Sequence, residues 1–373
     1  MKWFWYWCLC CLSSLSYAHK ASDSYLNIEQ IDASTLHVQW DIALRDADVL
    51  LNLDANNDSQ LTWSEVVIRT PELEQLVAKN LVLRRNTQDC KNYYFQPVAI
   101  DNHVDGAYVV MSFTVQCEQT GLWAIQYSLL QHIDVLHRGI LRWQAQHQNP
   151  QTMVLVANPT WLILNDLNQQ HTLRSFWQEG IGHIWAGYDH ILFLLSLLLP
   201  VVLMRHQQTW QPVQRWQTAL LDATGIVTAF TLAHSLTLIL AALNWIYLPS
   251  RLVESLIAAS VIVAAIHNVW PILHKWRWLM AFVFGLIHGF GFASALTDLT
   301  AGLETPLWAL LGFNLGVETG QLVIVMIFIP LAYCYRASPY YQRWLLTGGS
   351  LAIASVASLW LCQRLFNLSL IAG

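Results

Sequence analysis

The sequence predicts an α-helical membrane bundle of about six transmembrane helices with an N-terminal β-rich exported domain, and three observations predict it. Long apolar runs fill the second half of a 373-residue chain that is 55% hydrophobic and only 12% charged, too apolar for an ordinary soluble enzyme. Most acidic residues lie before about residue 180, and the later runs suit spans of roughly 20 apolar residues each. At the start, MKWFWYWCLCCLSSLSYA joins Lys2 to an apolar core and places Ser16 and Ala18 where a signal peptidase reads small residues. The chain therefore divides into a signal peptide at 1–18, an exported β-sandwich-like domain at 19–178 and a six-helix transmembrane domain at 179–373.

Cleavage after Ala18 leaves His19 as the mature N-terminus, where an amine and an imidazole together can chelate copper. An uncleaved anchor is the alternative, disfavoured by its short apolar core; either one exports the β-rich domain. The net charge of -5 comes with no basic stripe, so no nucleic-acid partner is expected. Of seven cysteines, Cys90 and Cys117 stand as an isolated pair in the exported segment, and in an oxidising compartment they read as a disulfide.

In the exported domain, Leu36, Val38, Trp40 and Ile42 alternate with polar or small neighbours, and 108–115 and 122–130 give further strand-like runs. One helix is expected at 71–80, where Leu73, Leu76 and Val77 share a face. A loop ahead of it carries Asp54, Asn56, Asp58, Gln60, Thr62 and Glu65 at positions one, three, five, seven, nine and twelve. That spacing of oxygen donors, with Leu61 at position eight, matches the calcium loop of an EF-hand, although Ser59 replaces the glycine that makes the sharp turn. Calcium is the ion expected there. His132, Asp134 and His137 read as a solvated strand end, with a metal patch as the alternative.

Six spans are expected at 185–204, 218–243, 252–273, 277–300, 307–335 and 344–366. Arg205 and Arg215, Lys275 and Arg277, and Arg336 and Arg343 mark the odd loops, against Arg251 in the second and only Asp298 and Glu304 in the fourth. The positive-inside rule then places both termini outside, in agreement with the leader.

Polar islands interrupt these spans: HIWAGYDH at 183–190, TLAHS at 231–235, Glu254, HGFGF at 288–292 and NLGVETGQ at 314–321. The topology sets His190, His234, Glu254, His288, Asn314 and Glu318 within about 20 Å of the outer side. Ionisable groups matched in depth call for one shared cavity, because exposure to lipid is strongly unfavourable. Imidazole and carboxylate together suit nickel, zinc or cobalt, and Asp189 is placed to ligate or to orient His190. His183 reads as a residue near the membrane surface. Interhelical hydrogen bonding is the competing account, and it is the one expected for Thr231, Thr237 and Ser260.

At these residues the chain resembles the HupE/UreJ family of nickel-permease-like membrane proteins. The resemblance rests on His183, Gly187, Asp189 and His190, on FTLAHS, HGFGFA and FNLGVETGQL, and covers roughly 180–330. It implies binding or translocation of nickel or a similar divalent ion, with His183, Asp189 and His190 as leading ligands. Ile184 and Asn314 depart from the family pattern, which bears on the choice of ion. Two other readings stay open: a membrane-embedded metal hydrolase with Glu254 or Glu318 as base, and a metal sensor or assembly factor whose exported domain recruits a protein partner the sequence does not name.

Overall fold

The computed structural model describes residues 22–366 except 59, 104–105, 135–136, 207–208, 244, 247, 271–276 and 301–306, with side chains omitted at 159 and 292–300. The leader, His19, Ser59, Lys275, the side chain of Asp298 and Glu304 lie outside the described residues.

Period-two patterning builds two packed sheets. The larger contains β1 (Asp23–Gln30), β2 (Thr35–Ala43), β5 (Asn92–Phe95), β6 (Ala99–His103), β7 (Gly106–Gln116), β9 (Arg138–Gln144) and β10 (Gln151–Val156), in the order β10-β9-β1-β2-β7-β5 with β6 also on β7. The smaller contains β3 (Leu81–Arg85), β4 (Gln88–Asp89), β8 (Trp123–Tyr127) and β11 (Asn158–Ile163). Leu26, Ile28, Leu36, Val38, Trp40, Ile42 and Phe113 meet Leu81, Leu83, Trp123 and Ile125 in one buried cluster between them. This is the sandwich that alternation implies, with each inner face dry. Cys90 and Cys117 are disulfide-bonded, with a Cα separation of 5.2 Å.

Three helices, not one, separate β2 from β3: α1 (Leu44–Leu51), α2 (Trp63–Ile68) and α3 (Thr70–Asn80). The third is the expected one, with Leu73, Leu76 and Val77 buried. The second is short and starts from a capping box between Thr62 and Glu65, a local device that hydrophobic periodicity does not reveal.

The second half is helical. α4 (Gln169–Ala186) and α5 (Tyr188–Leu198) precede a small hairpin of β12 (Leu203–His206) and β13 (Thr209–Pro212). Beyond the hairpin come α6 (Trp216–Ala242), α7 (Ser250–Val269), α8 (Arg277–Thr300), α9 (Leu307–Tyr335), a π-helical segment (Tyr341–Gly348) and α10 (Gly349–Phe366). Among the described residues, four helices are long and apolar enough to cross a membrane: α6, α7, α9 and the continuous stretch Tyr341–Phe366. A fifth is counted if α4 and α5 are taken together. The described residues thus support four to five spans of the six expected, the apolar part described for α8 being the shorter Arg277–Gly291. The expected straight span at 185–204 is corrected: α4 and α5 meet at 73°, with Gly187 extended at φ -79° and ψ 95°, and the chain enters the hairpin at Leu203. α4 also runs through residue 178, and Arg138 of β9 pairs with its Glu179 at 2.8 Å, so the sheet and the bundle share an element.

Glycines set the helix spacing. A Cβ on Gly312 of α9 would meet the Leu173 carbonyl of α4 at 2.5 Å, and one on Gly285 of α8 would meet the Phe230 carbonyl of α6 at 2.6 Å. Hydrogen at these positions lets backbones touch, as small residues do between membrane helices. Asn268 of α7 donates to the Ser196 carbonyl (2.7 Å) and to Ser350 Oγ (3.0 Å). It is thus a tie between α5, α7 and α10, not a solvent-reaching residue.

Candidate intramembrane metal site

Four of the helices each aim one imidazole at a common point. His183 sits near the end of α4, His190 at the start of α5, His234 in α6 and His288 in α8. Ring centroids are 4.5 Å apart for His183 and His190, 5.3 Å for His190 and His288, and 6.4 Å for His183 and His234. His190, His234 and His288 are buried. The bend at Gly187 makes this possible, since a straight helix would carry His183 and His190 about two turns apart along one stripe, whereas the 73° bend turns α5 across the end of α4. His183 therefore belongs to the cluster and not to the membrane surface.

Hydrogen bonds fix which nitrogens face inward. Asp189 Oδ1 lies 3.1 Å from His190 Nδ1 and accepts from the His190 backbone N–H at 3.0 Å. A carboxylate accepts, so Nδ1 carries the proton and Nε2 offers a lone pair. Ser260 Oγ donates its one proton to the Ile257 carbonyl at 2.7 Å and lies 2.8 Å from His288 Nε2. It must therefore accept from Nε2–H, which leaves the lone pair on Nδ1. His190 Nε2, His288 Nδ1 and both nitrogens of His234 are buried without a hydrogen-bond partner among the described residues. Buried polar atoms left unsatisfied are uncommon and require an explanation, and a bound cation is one.

Asn314 of α9 approaches His234, but its Oδ1 is buried without a well-formed bond while Nδ2 donates to the Leu310 carbonyl at 3.0 Å. Phe193, Phe230 and Phe313 wall the cluster, with centroids 4.7 Å from His288, 5.3 Å from His288 and 5.3 Å from His183. Six predicted residues thus gather: His183, Asp189, His190, His234, His288 and Asn314. Glu254 does not: it is committed to Arg364 of α10 at 3.4 Å. Glu318 is half-buried one turn beyond Asn314 on α9.

The sequence suggests packing alone for Ser260, yet this hydroxyl sets the tautomer of His288. Arg364 is a residue that sequence reasoning missed; as an ionisable group late in an apolar run it carried the same signal as the histidines. Among the described residues, no three of the histidine and carboxylate groups in the bundle bring ligand atoms within 4.8 Å of one another. That closeness is reached by Asp41, Asp101 and His103 of the β domain.

A family model described as HupE / UreJ protein matches residues 158–364, more than half of the chain. The chain belongs to the HupE/UreJ family. The match takes in every helix from α4 to α9 and most of α10, so it contains the whole histidine cluster and begins near the end of the β sandwich. With four to five apolar helices, this HupE/UreJ protein is a multi-pass membrane protein. No curated protein matches it.

The EF-hand-like loop has partial order of its own. Asp58 N donates to Asn56 Oδ1 (2.8 Å) and to Asp54 Oδ1 (3.3 Å), and Gln60 N donates to Asp58 Oδ1 (2.8 Å). Glu65 Oε2 accepts from Thr62 Oγ1 (2.7 Å) and Thr62 N (2.9 Å). The Thr62 hydroxyl, helped by backbone N–H groups that include Ala55 and Asn56, holds the half-buried Glu65 carboxyl below its usual range. Glu65 therefore already reaches across the loop from position twelve to positions two and three. The solvated strand end expected at His132, Asp134 and His137 is corrected at His137, which is buried between Ser22 and Tyr127.

Proposed function

We propose that this protein binds a divalent transition metal, nickel or similar (zinc or cobalt in the same class), and carries it across the inner membrane through the histidine cluster. The carrying observation is the set of unpartnered lone pairs on His190, His234 and His288, brought to one buried point by helices α5, α6 and α8. Imidazole is a good ligand for these ions, and Asp189 and Ser260 orient two of the rings as outer partners of metal-binding histidines do. The spacing favours cargo over a resident ion. Ligand atoms spread beyond 4.8 Å hold an ion less tightly than a closed site, and transport requires release as well as binding.

In this reading the β domain lies outside the membrane, residues 1–18 are its signal peptide, and lipid and metal ion are the partners. Loop charge and the Cys90–Cys117 disulfide support that orientation. Calcium at the Asp54 to Glu65 loop belongs to the same proposal, as a stabiliser of the exported domain. The hydrolase alternative needs a free carboxylate base; Glu254 is held by Arg364, which leaves Glu318 for that role.

The test is metal uptake into proteoliposomes loaded with a chelating dye. Wild type is expected to fill the vesicles with nickel, zinc or cobalt above empty liposomes. A His190→Ala, His288→Ala double variant, shown to fold by its melting curve, is expected to lose on the order of 90% of that rate or more, since two of the four imidazoles are gone. Undiminished uptake by the double variant refutes the site.

A further inference from the structure

We propose a second divalent-metal site, formed by Asp41, Asp101 and His103 on the β domain, that collects the ion outside the bundle. The collecting role rests on the transport reading above; the site itself does not. Its ligand atoms all lie within 4.8 Å of one another, with His103 Nε2 3.2 Å from Asp41 Oδ2.

Strand register builds it. Asp41 of β2 lies opposite Val110 of β7, and Asp101 of β6 lies opposite Tyr108, so both carboxylates stand on strands flanking one short stretch of β7. His103 ends β6 opposite Gly106. The groups are also held in place. Tyr25 stacks on the His103 ring at 4.5 Å and 4°, and Tyr108 meets the same ring at 4.3 Å with a tilt of 52°. Gln39 Nε2 donates to Asp41 Oδ1 at 3.0 Å, which turns Oδ2 toward His103. Asp101 Oδ1 accepts from the Asn102 N–H at 2.7 Å.

The electrostatics point to a cation. Asp41 is only 6% exposed, and a second carboxylate stands beside it, so two like charges share a partly dry corner. A divalent ion resolves that repulsion, and one imidazole with two carboxylates is a donor set for first-row divalent metals. Asp101 is exposed, so the corner is open to solvent on one side.

Position supplies the role. Tyr25, which stacks on His103, packs against an apolar cluster that includes Phe176 and Ile184 of α4 and Phe313 of α9. Phe313 in turn faces His183 at 5.3 Å. One contiguous apolar cluster therefore links the strand site to the residues beside the histidines.

The experiment titrates the detergent-solubilised full chain with cobalt, counting bound ion by elemental analysis and following visible absorption. Six proteins are compared: wild type, Asp101→Asn, His103→Gln, the His190→Ala, His288→Ala double variant, and that double variant carrying either His103→Gln or Asp101→Asn. Asp101 is exposed, so Asp101→Asn keeps a folded control at hand. The double variant is expected to retain one cobalt per chain, and adding His103→Gln or Asp101→Asn to it is expected to weaken that binding by about tenfold or more. Equal cobalt binding with and without these substitutions overturns the site. In proteoliposomes the two single variants are expected to raise the KM for uptake about tenfold with kcat within about twofold. An unchanged KM alongside lost strand-site binding overturns the collecting role. Absence of uptake by wild type overturns the transport reading, and the cobalt arm still decides the site.

Discussion

A buried chain of hydrogen bonds in the β domain makes its stability depend on pH in a direction that can be worked out. Trp40 Nε1 donates to Ser24 Oγ at 3.1 Å, and Ser24 lies 2.9 Å from the Tyr127 hydroxyl. The Tyr127 hydroxyl in turn meets His137 Nε2, and His137 Nδ1 lies 2.5 Å from Ser22 Oγ, which donates to Asp46 Oδ2 at 2.5 Å. Ser22 spends its proton on Asp46, so it accepts from His137 Nδ1–H; Nε2 then accepts from Tyr127. Every donor finds an acceptor only while His137 is neutral. Burial accordingly pushes the His137 imidazole down to about 4 from an ordinary 6.5, with Asp134 opposing and Arg138 and Arg45 assisting. A depressed histidine is protonated first in the unfolded chain, so folding stability is intact above pH 6.5 and is lost as pH falls toward 4. The loss is about 2.5 kcal/mol by about pH 4.5. Burial raises the Asp46 carboxyl, which acts in the opposite sense and returns stability at the acid end. The assay is urea unfolding of the β domain in the solubilised full chain, read by a brief protease pulse at several pH values. His137→Gln is expected to be less stable near neutral pH by about 1–3 kcal/mol, since one buried partner is lost, but to show a flatter profile between about pH 6.5 and 4.5. Parallel profiles for wild type and variant would refute the assignment of the slope to His137.

Three further outcomes are expected. Ser260→Ala removes the acceptor that fixes the His288 tautomer, so cobalt affinity at the histidine cluster should fall by roughly 10–100-fold with the melting temperature little changed, measured by titration of the Asp101→Asn protein. Gly285→Ala should separate α6 from α8, because its Cβ would stand 2.6 Å from the Phe230 carbonyl; a loss of about 1–3 kcal/mol should appear in thermal melts together with reduced metal binding. Calcium at millimolar concentration should raise the melting temperature of the full chain, and Glu65→Gln should abolish most of the rise. The comparison is of calcium responses, since Glu65 also caps α2.

Much of the architecture was legible because simple periodicities are physical necessities. A strand with one dry face alternates, so β2 and β7 could be read from Leu36 to Ile42 and from Tyr108 to Val115. A span in lipid is apolar throughout, so α6, α7 and α9 announced themselves. The short α2 escaped because it is started by a cap. The break at Gly187 escaped because an apolar run does not say whether it is straight. The strand site escaped for a third reason: Asp41 lies on β2 and Asp101 and His103 on β6, far apart in sequence, and only pairing through β7 makes them neighbours.

For the histidine cluster, the sequence by itself determined the inventory. His190, His234, Glu254, His288, Asn314 and Glu318 stand out because ionisable or strongly polar groups in hydrocarbon must turn toward one another, and that comes from composition and depth, whereas Asp189 follows from its place beside His190 and His183 is a leading ligand by family resemblance. Only the tertiary structure decided membership and orientation. It brought His183 in through a 73° bend, assigned Ser260 to the His288 ring and gave Glu254 to Arg364. Depth fixes how far a residue lies along the membrane normal, whereas a ligand also needs an azimuth and a hydrogen-bonded second nitrogen. Those are set by which helix backbones come into contact, and that depends on packing at Gly285 and Gly312, residues that carry none of the chemistry themselves.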